Sequence, residues 1–191
     1  MKQSPLSQTQ LGIYLGSAYR DDLAYHIAYI FRFPADTDPD SLAAALRKTI
    51  AAHPALNVSI DTDDKGEALM KWDENDIPEI PVANMTEAQF EALKPMLIEH
   101  LAVPGNHMSR FRIIRTENST CLIAIIHHII YDGSSMRIFL HDLDSALKGN
   151  NPGKETFTQF DVVEKEIAGR KTPQYDEQKE YYKRTFGDFD S

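Results

Sequence analysis

The chain has 191 residues, a formal charge of −9, 42% apolar residues and 26% charged residues. It can bury one substantial core, as a single domain or as one lobe of something larger. Its acidic balance, without a basic stripe, argues against a nucleic-acid partner, and no apolar run reaches the length of a membrane span. The opening Met1-Lys2-Gln3-Ser4-Pro5-Leu6 lacks a signal-peptide core, so a cytoplasmic location is expected. A single cysteine, Cys121, excludes an internal disulfide and a multi-cysteine metal site; it lies in an apolar run and reads as a buried, inert thiol.

Ser7 and Gln10 form a capping-box pattern followed by Leu11, Tyr14, Leu15 and Ala18 at helical spacing, which predicts a helix over 7–19. Residues 24–33, rich in Tyr, Ile and Phe, read as a strand. Asp38 before Pro39 marks a helix start, with Pro54 ending that helix near His53. Residues 56–61 and 67–72 read as two strands joined by the turn Asp63-Asp64-Lys65-Gly66. Thr86 and Gln89 form a second capping box, and the helix they open meets Pro95, where a kink or break is expected. Residues 111–115 alternate as a strand, and Glu117-Asn118-Ser119 reads as a turn. The run Cys121-Leu122-Ile123-Ala124-Ile125-Ile126 is continuously apolar, as in a strand covered on both faces. A helix then starts after Gly133, with Met136, Phe139, Leu140, Leu143 and Leu147 inward and Gly149 as its stop. Two further helices are expected near 157–169 and 174–186. Strands, hairpins and helices in this mixture predict an α+β fold with a mixed sheet packed by helices.

The chemistry-bearing candidate is His127-His128-Ile129-Ile130-Tyr131-Asp132-Gly133, at the end of the most apolar strand and just before a helix. Adjacent strand residues point to opposite faces, so one histidine is expected to face a cleft, His128, and the other, His127, to face away. An imidazole titrates near neutrality and can take a proton from an attacking amine or alcohol. Gly133 would permit a tight turn, the amides at Ser134 and Ser135 would favour a developing oxyanion, and Asp132 would cap the helix or pair with an arginine. The bland alternative is a hydrogen-bonded structural His-His pair. A metal site is the poorer reading, because neighbouring strand residues diverge and no third or fourth ligand stands near. A serine-hydrolase elbow fails because Asp132-Gly133-Ser134-Ser135-Met136 lacks the second glycine of G-x-S-x-G.

The pattern resembles the H-H-x-x-x-D-G motif of condensation domains of nonribosomal peptide synthetases. Pro5-Leu6-Ser7 with Gln10, Ile13 and Tyr14 is similar to that family's opening helix, and His53-Pro54-Ala55-Leu56 to its R-H-x-x-L-R segment. Arg110-Phe111-Arg112-Ile113 resembles the strand before its hairpin, residues 139–149 the helix after the motif, and Tyr181-Tyr182 its late aromatic helix. These segments fall in the family's order and cover nearly the whole chain.

The resemblance implies a chloramphenicol acetyltransferase-like fold and amide formation between an acyl thioester and an aminoacyl thioester. Both would be carried on phosphopantetheine arms of donor and acceptor carrier proteins into a tunnel between two lobes, with no cofactor bound. His128 matches the central motif histidine and His127 its neighbour. Asp132 matches an aspartate of structural role, and Gly133 a glycine near the reacting centre. Two departures stand out. Asn57 replaces an arginine that would partner Asp132, for which Arg110 or Arg112 could substitute. Residues 1–191 match only the N-terminal lobe, so the C-terminal lobe is a further expected partner and the isolated chain is expected to be incomplete as an enzyme. Heterocyclising relatives carry aspartate in place of the histidines, and epimerising ones usually tryptophan where Met136 stands. The alternatives are a non-catalytic docking lobe for carrier proteins or other domains, and a coenzyme A-dependent small-molecule acyltransferase.

Overall fold

A computed structural model describes residues 1–19 and 23–187. Two four-stranded sheets and six α-helices make up its architecture. The chain runs β1 (Lys2–Pro5), α1 (Gln8–Tyr19), β2 (His26–Pro34), α2 (Pro39–Ala52), β3 (Val58–Thr62), β4 (Ala68–Trp72), β5 (Val82–Asn84) and α3 (Glu87–Leu93). It continues β6 (Asn106–His107), β7 (Ser109–Arg115), β8 (Ser119–His127), α4 (Gly133–Leu147), α5 (Gln159–Gly169) and α6 (Pro173–Phe186). The smaller sheet is ordered β1-β4-β3-β6 and is antiparallel throughout. The second sheet is ordered β2-β8-β7-β5, with β5 parallel to β7 at one edge.

The expected helix starts form as local hydrogen bonding dictates. The Ser7 amide donates to Gln10 Oε1 at 2.9 Å and the Gln10 amide to Ser7 Oγ at 3.2 Å. Asp38 accepts from the Ser41 amide at 3.0 Å, and Thr86 and Gln89 cap α3 reciprocally. Helix α3 ends at Leu93, where Pro95 leaves only a 3₁₀ turn over Lys94–Met96. One strand boundary moves: Pro54–Asn57 forms a 3₁₀ turn, because Pro54 fixes φ and continues the chain from α2, so β3 begins at Val58 rather than at 56. Thr158 caps α5, which starts at Gln159. Gly149, at φ +87°, closes the loop after α4.

Strand β8 is buried along its whole length and lies between β2 and β7. Leu122, Ala124 and Ile126 pack with Leu42, Leu46 and Ile50 of α2 and Phe139 and Leu143 of α4. On its other face Cys121, Ile123 and Ile125 pack with Phe90 of α3, Leu97 and Leu101. This double covering explains the uninterrupted apolar run. Arg32 of β2 fastens α3 to the sheet by donating to Glu87 and Glu91 at 2.8 Å each. Among the described residues, no helix is long and apolar enough to cross a membrane.

Candidate functional site

The motif begins where β8 ends. The His127 amide donates to Met108 O and the His128 amide to Tyr25 O, both at 2.8 Å, so the backbone of the pair is held from two sides. Past this point the side chains part, as strand alternation requires: His127 is 1% exposed, and His128 is exposed.

The bonding of His127 assigns its proton. The Ile129 amide donates to His127 Nδ1 at 3.2 Å, so Nδ1 is an acceptor. The Ser17 hydroxyl donates to Ile13 O at 2.9 Å and lies 3.2 Å from His127 Nε2, so Nε2 carries the hydrogen and donates to Ser17 Oγ. The ring is therefore neutral, and burial, followed by the nearby His26, His100 and His128, lowers its pKa to about 4. A neutral ring bonded at both nitrogens supports the turn and has no free lone pair to offer a substrate.

Asp132 N-caps α4. The Ser135 amide donates to Asp132 Oδ1 at 2.8 Å, the Ser135 hydroxyl to the same oxygen at 2.7 Å, and the Asp132 amide to Ser135 Oγ at 3.3 Å. These bonds hold the carboxyl below the usual range, with smaller help from the Ser134 amide and His128. Three expectations are corrected at this helix start. The Ser135 amide is already committed to the Asp132 carboxylate, so it is not free to serve an oxyanion. Arg110 and Arg112 do not replace the missing arginine, because both pair with Glu99. The tight turn ascribed to Gly133 lies earlier, at His128–Ile130, where the Ile130 amide donates to His127 O at 3.1 Å, and Asp132 is extended (φ −140°, ψ −175°). Gly133 itself is not at positive φ, and a Cβ there would meet nothing within 4 Å.

Sequence reasoning missed the roles of three residues, Ser17, His53 and Tyr131. Ser17 has no local signal, because it reaches His127 only through folding. His53 joins three segments: Nδ1 lies 2.7 Å from Glu155 Oε1 and Nε2 lies 2.7 Å from Asp142 Oδ2. Glu155, then Asp142, raise the His53 pKa against the opposing effect of burial. Tyr131 is 5% exposed, and its hydroxyl has no hydrogen-bond partner among the described residues. Burial raises its pKa above the ordinary tyrosine value. It lines a cavity of about 70 Å³ beside the motif, together with His53, Leu56, Ser135, Phe139 and Glu155. Asn57, in place of the expected arginine, donates to Asp73 O at 2.9 Å. Among the described residues, no group of three or more His, Cys, Asp or Glu side chains is arranged to hold a metal ion.

With this geometry in hand, the model of the family described as Condensation domain matches residues 1–190. The chain belongs to the condensation-domain family. The hybrid PKS-NRPS synthetase xenE of Xenoacremonium sinensis is 28% identical over 159 residues, covering 80% of this chain. Surfactin synthase subunit 2 of Bacillus subtilis is 26% identical over 147 residues, covering 76%. The chain spans 4% of the length of each of these relatives. Among solved structures, the starter condensation domain of rhizomide synthetase matches all of this chain with a TM-score of 0.80 at 16% identity. The first condensation domain of the calcium-dependent antibiotic synthetase, bound to a substrate analogue, does so with a TM-score of 0.75 at 18% identity. The chain spans 49% of each of those solved chains. The condensation-domain fold is chloramphenicol acetyltransferase-like, and the two sheets and flanking helices described above are that fold in this chain.

Proposed function

We propose that these residues are the N-terminal lobe of a condensation domain and provide one wall of an amide-forming site. The substrates are an acyl thioester and an amine, each borne on the phosphopantetheine arm of a carrier protein, and the site works in the cytoplasm. As the amine nitrogen attacks the carbonyl carbon, a C–N bond forms and the C–S bond breaks. The thiolate leaves and is protonated to the thiol. His128 meets the amine and takes its proton. His127, Asp132 and Gly133 shape the turn that presents it.

The observation that carries this reading is the division of labour within the His-His pair. His127 is buried, neutral and bonded at both nitrogens, while His128 is exposed on the same rigid turn. A reactive side chain is best held by a strand end whose backbone cannot move. One wall alone would leave thioester and amine in bulk water, without the orientation that supplies much of the rate.

A docking lobe is the second reading. It is favoured by α6, which has no buried residue and exposes Tyr175, Tyr181, Tyr182 and Phe186. Phe189, expected to continue this aromatic series, lies outside the described residues. A coenzyme A-dependent transferase would differ by accepting free thioesters. The test is a condensation assay with carrier-bound donor and acceptor, run on this chain alone and again with a separately expressed second lobe. Turnover restored by the second lobe and lost in His128→Ala supports the proposal. Appreciable turnover by the lone chain would falsify incompleteness, and inactivity in both runs would favour the docking role.

A further inference from the structure

Helix α1 carries two glycines, Gly12 and Gly16, one turn apart on the same face. Glycine weakens a helix interior relative to alanine, so each position calls for a reason. Their surroundings differ. A Cβ on Gly12 would meet nothing within 4 Å. A Cβ on Gly16 would lie 2.5 Å from Tyr25 Oη, 3.0 Å from its Cζ and 3.1 Å from its Cε2. The first of these is closer than a real Cβ approaches any atom. The tyrosine ring thus rests on the bare backbone of α1, in the place a side chain at position 16 would take.

Tyr25 is also the residue that holds His128. It immediately precedes β2, and its carbonyl accepts the His128 amide at 2.8 Å. Its ring centre lies 6.1 Å from that of His127. The next residue of α1, Ser17, accepts from His127 Nε2 at 3.2 Å. Two successive residues of α1 therefore bear on the two histidines. Ser17 does so through its hydroxyl, and Gly16 does so by lacking a side chain and admitting Tyr25. A tyrosine has only two rotatable side-chain bonds, so pushing its hydroxyl aside moves the whole ring and strains the backbone that carries it.

From this arrangement we infer that Gly16 is a positioning residue for His128, acting through Tyr25. A side chain at position 16 displaces Tyr25, loosens the bond from its carbonyl to the His128 amide, and so moves the exposed imidazole. The consequence for turnover rests on the condensation reading, whereas the placement of His128 is measurable without it.

Hydrogen exchange of the His128 amide, followed by NMR in the 191-residue chain, reads that bond directly. Wild type is compared with Gly12→Ala, Gly16→Ala and the double variant Gly16→Ala/Tyr25→Phe. Both alanines raise helix propensity alike, so Gly12→Ala controls for that gain and should exchange at the wild-type rate. Gly16→Ala should exchange roughly tenfold faster. The double variant lacks the atom at 2.5 Å and should recover most of the protection. In the two-lobe protein Gly16→Ala should lower kcat roughly tenfold with KM little changed, the mark of a displaced reacting group rather than lost substrate binding. Should Gly16→Ala fail to fold, the double variant decides: slow exchange supports the inference and fast exchange overturns it. Equal exchange in the two alanine variants, no recovery in the double variant, or an unchanged kcat in a protein that condenses also overturns it. A wild-type two-lobe protein without turnover sinks the condensation reading, while the exchange rates still decide what Gly16 does for His128.

Discussion

Ser17 and His127 lie 110 positions apart in sequence and meet at 3.2 Å, where the serine hydroxyl accepts the imidazole Nε2–H. This contact ties α1 to the end of β8. Ser17→Ala would leave a buried N–H without a partner, so unfolding free energy should fall by about 1–3 kcal/mol, read by urea denaturation. The pH dependence has a definite sign. His127 is neutral in the folded state with a pKa of about 4, below its ordinary 6.5, so acid favours the unfolded chain. Its contribution is present above pH 6.5 and lost as pH falls towards 4, on the order of 3 kcal/mol in all. A denaturation midpoint that does not decline over that window would contradict this assignment.

His53 should behave oppositely. Its pKa is raised by Glu155 and Asp142, so its stabilisation is complete below the ordinary imidazole value and fades as pH climbs through the raised one. Wild type and His53→Gln should differ most in mild acid and converge in alkali. Melting temperatures of both proteins across that range provide the check.

Asp132 and His128 should separate into different phenotypes. Asp132→Ala removes the cap of α4 and should lower stability by about 1 kcal/mol, while Asp132→Asn keeps most of it. His128→Ala, at an exposed position, should change stability by less than about 0.5 kcal/mol yet abolish condensation in the two-lobe protein. Paired thermal melts and turnover measurements would reveal reversed roles if the losses fall the other way round.

Tyr131→Phe deletes a buried hydroxyl that has no partner among the described residues. The variant should be more stable by about 1 kcal/mol, because the ring still packs and the desolvation cost disappears. A destabilised variant would reveal a partner for that hydroxyl.

The elements most legible in the sequence were those whose signal is local. Capping patterns at Ser7, Asp38 and Thr86 and the apolar run of β8 need only neighbouring residues to be read, and each forms as expected. The missed strands are short and carry little periodic signal. Lys2–Pro5 and Val82–Asn84 are mostly exposed, and Asn106–His107 pairs only briefly with β3. Strand alternation was enough to separate His127 from His128. It could not supply Ser17, Asp142 or Glu155, which reach their histidines only through tertiary packing. Likewise, the sequence offered both Asp132 as a cap and the helix-start amides as oxyanion donors, and only the folded structure shows the cap taking the Ser135 amide.

The register of β2 against β8, with His26 opposite His127 and Pro34 opposite Ser119, sets more than sheet geometry. A slip of one residue exchanges the faces of every side chain on a strand. Here it would turn the solvent-facing imidazole inward and the buried one outward, and it would move the aliphatic residues of each core layer into the other. Losing or gaining a single residue in the Glu117-Asn118 connection is thus a different kind of injury from replacing one. A substitution there touches an exposed bend, whereas a length change puts the wrong histidine forward while leaving both histidines in the chain.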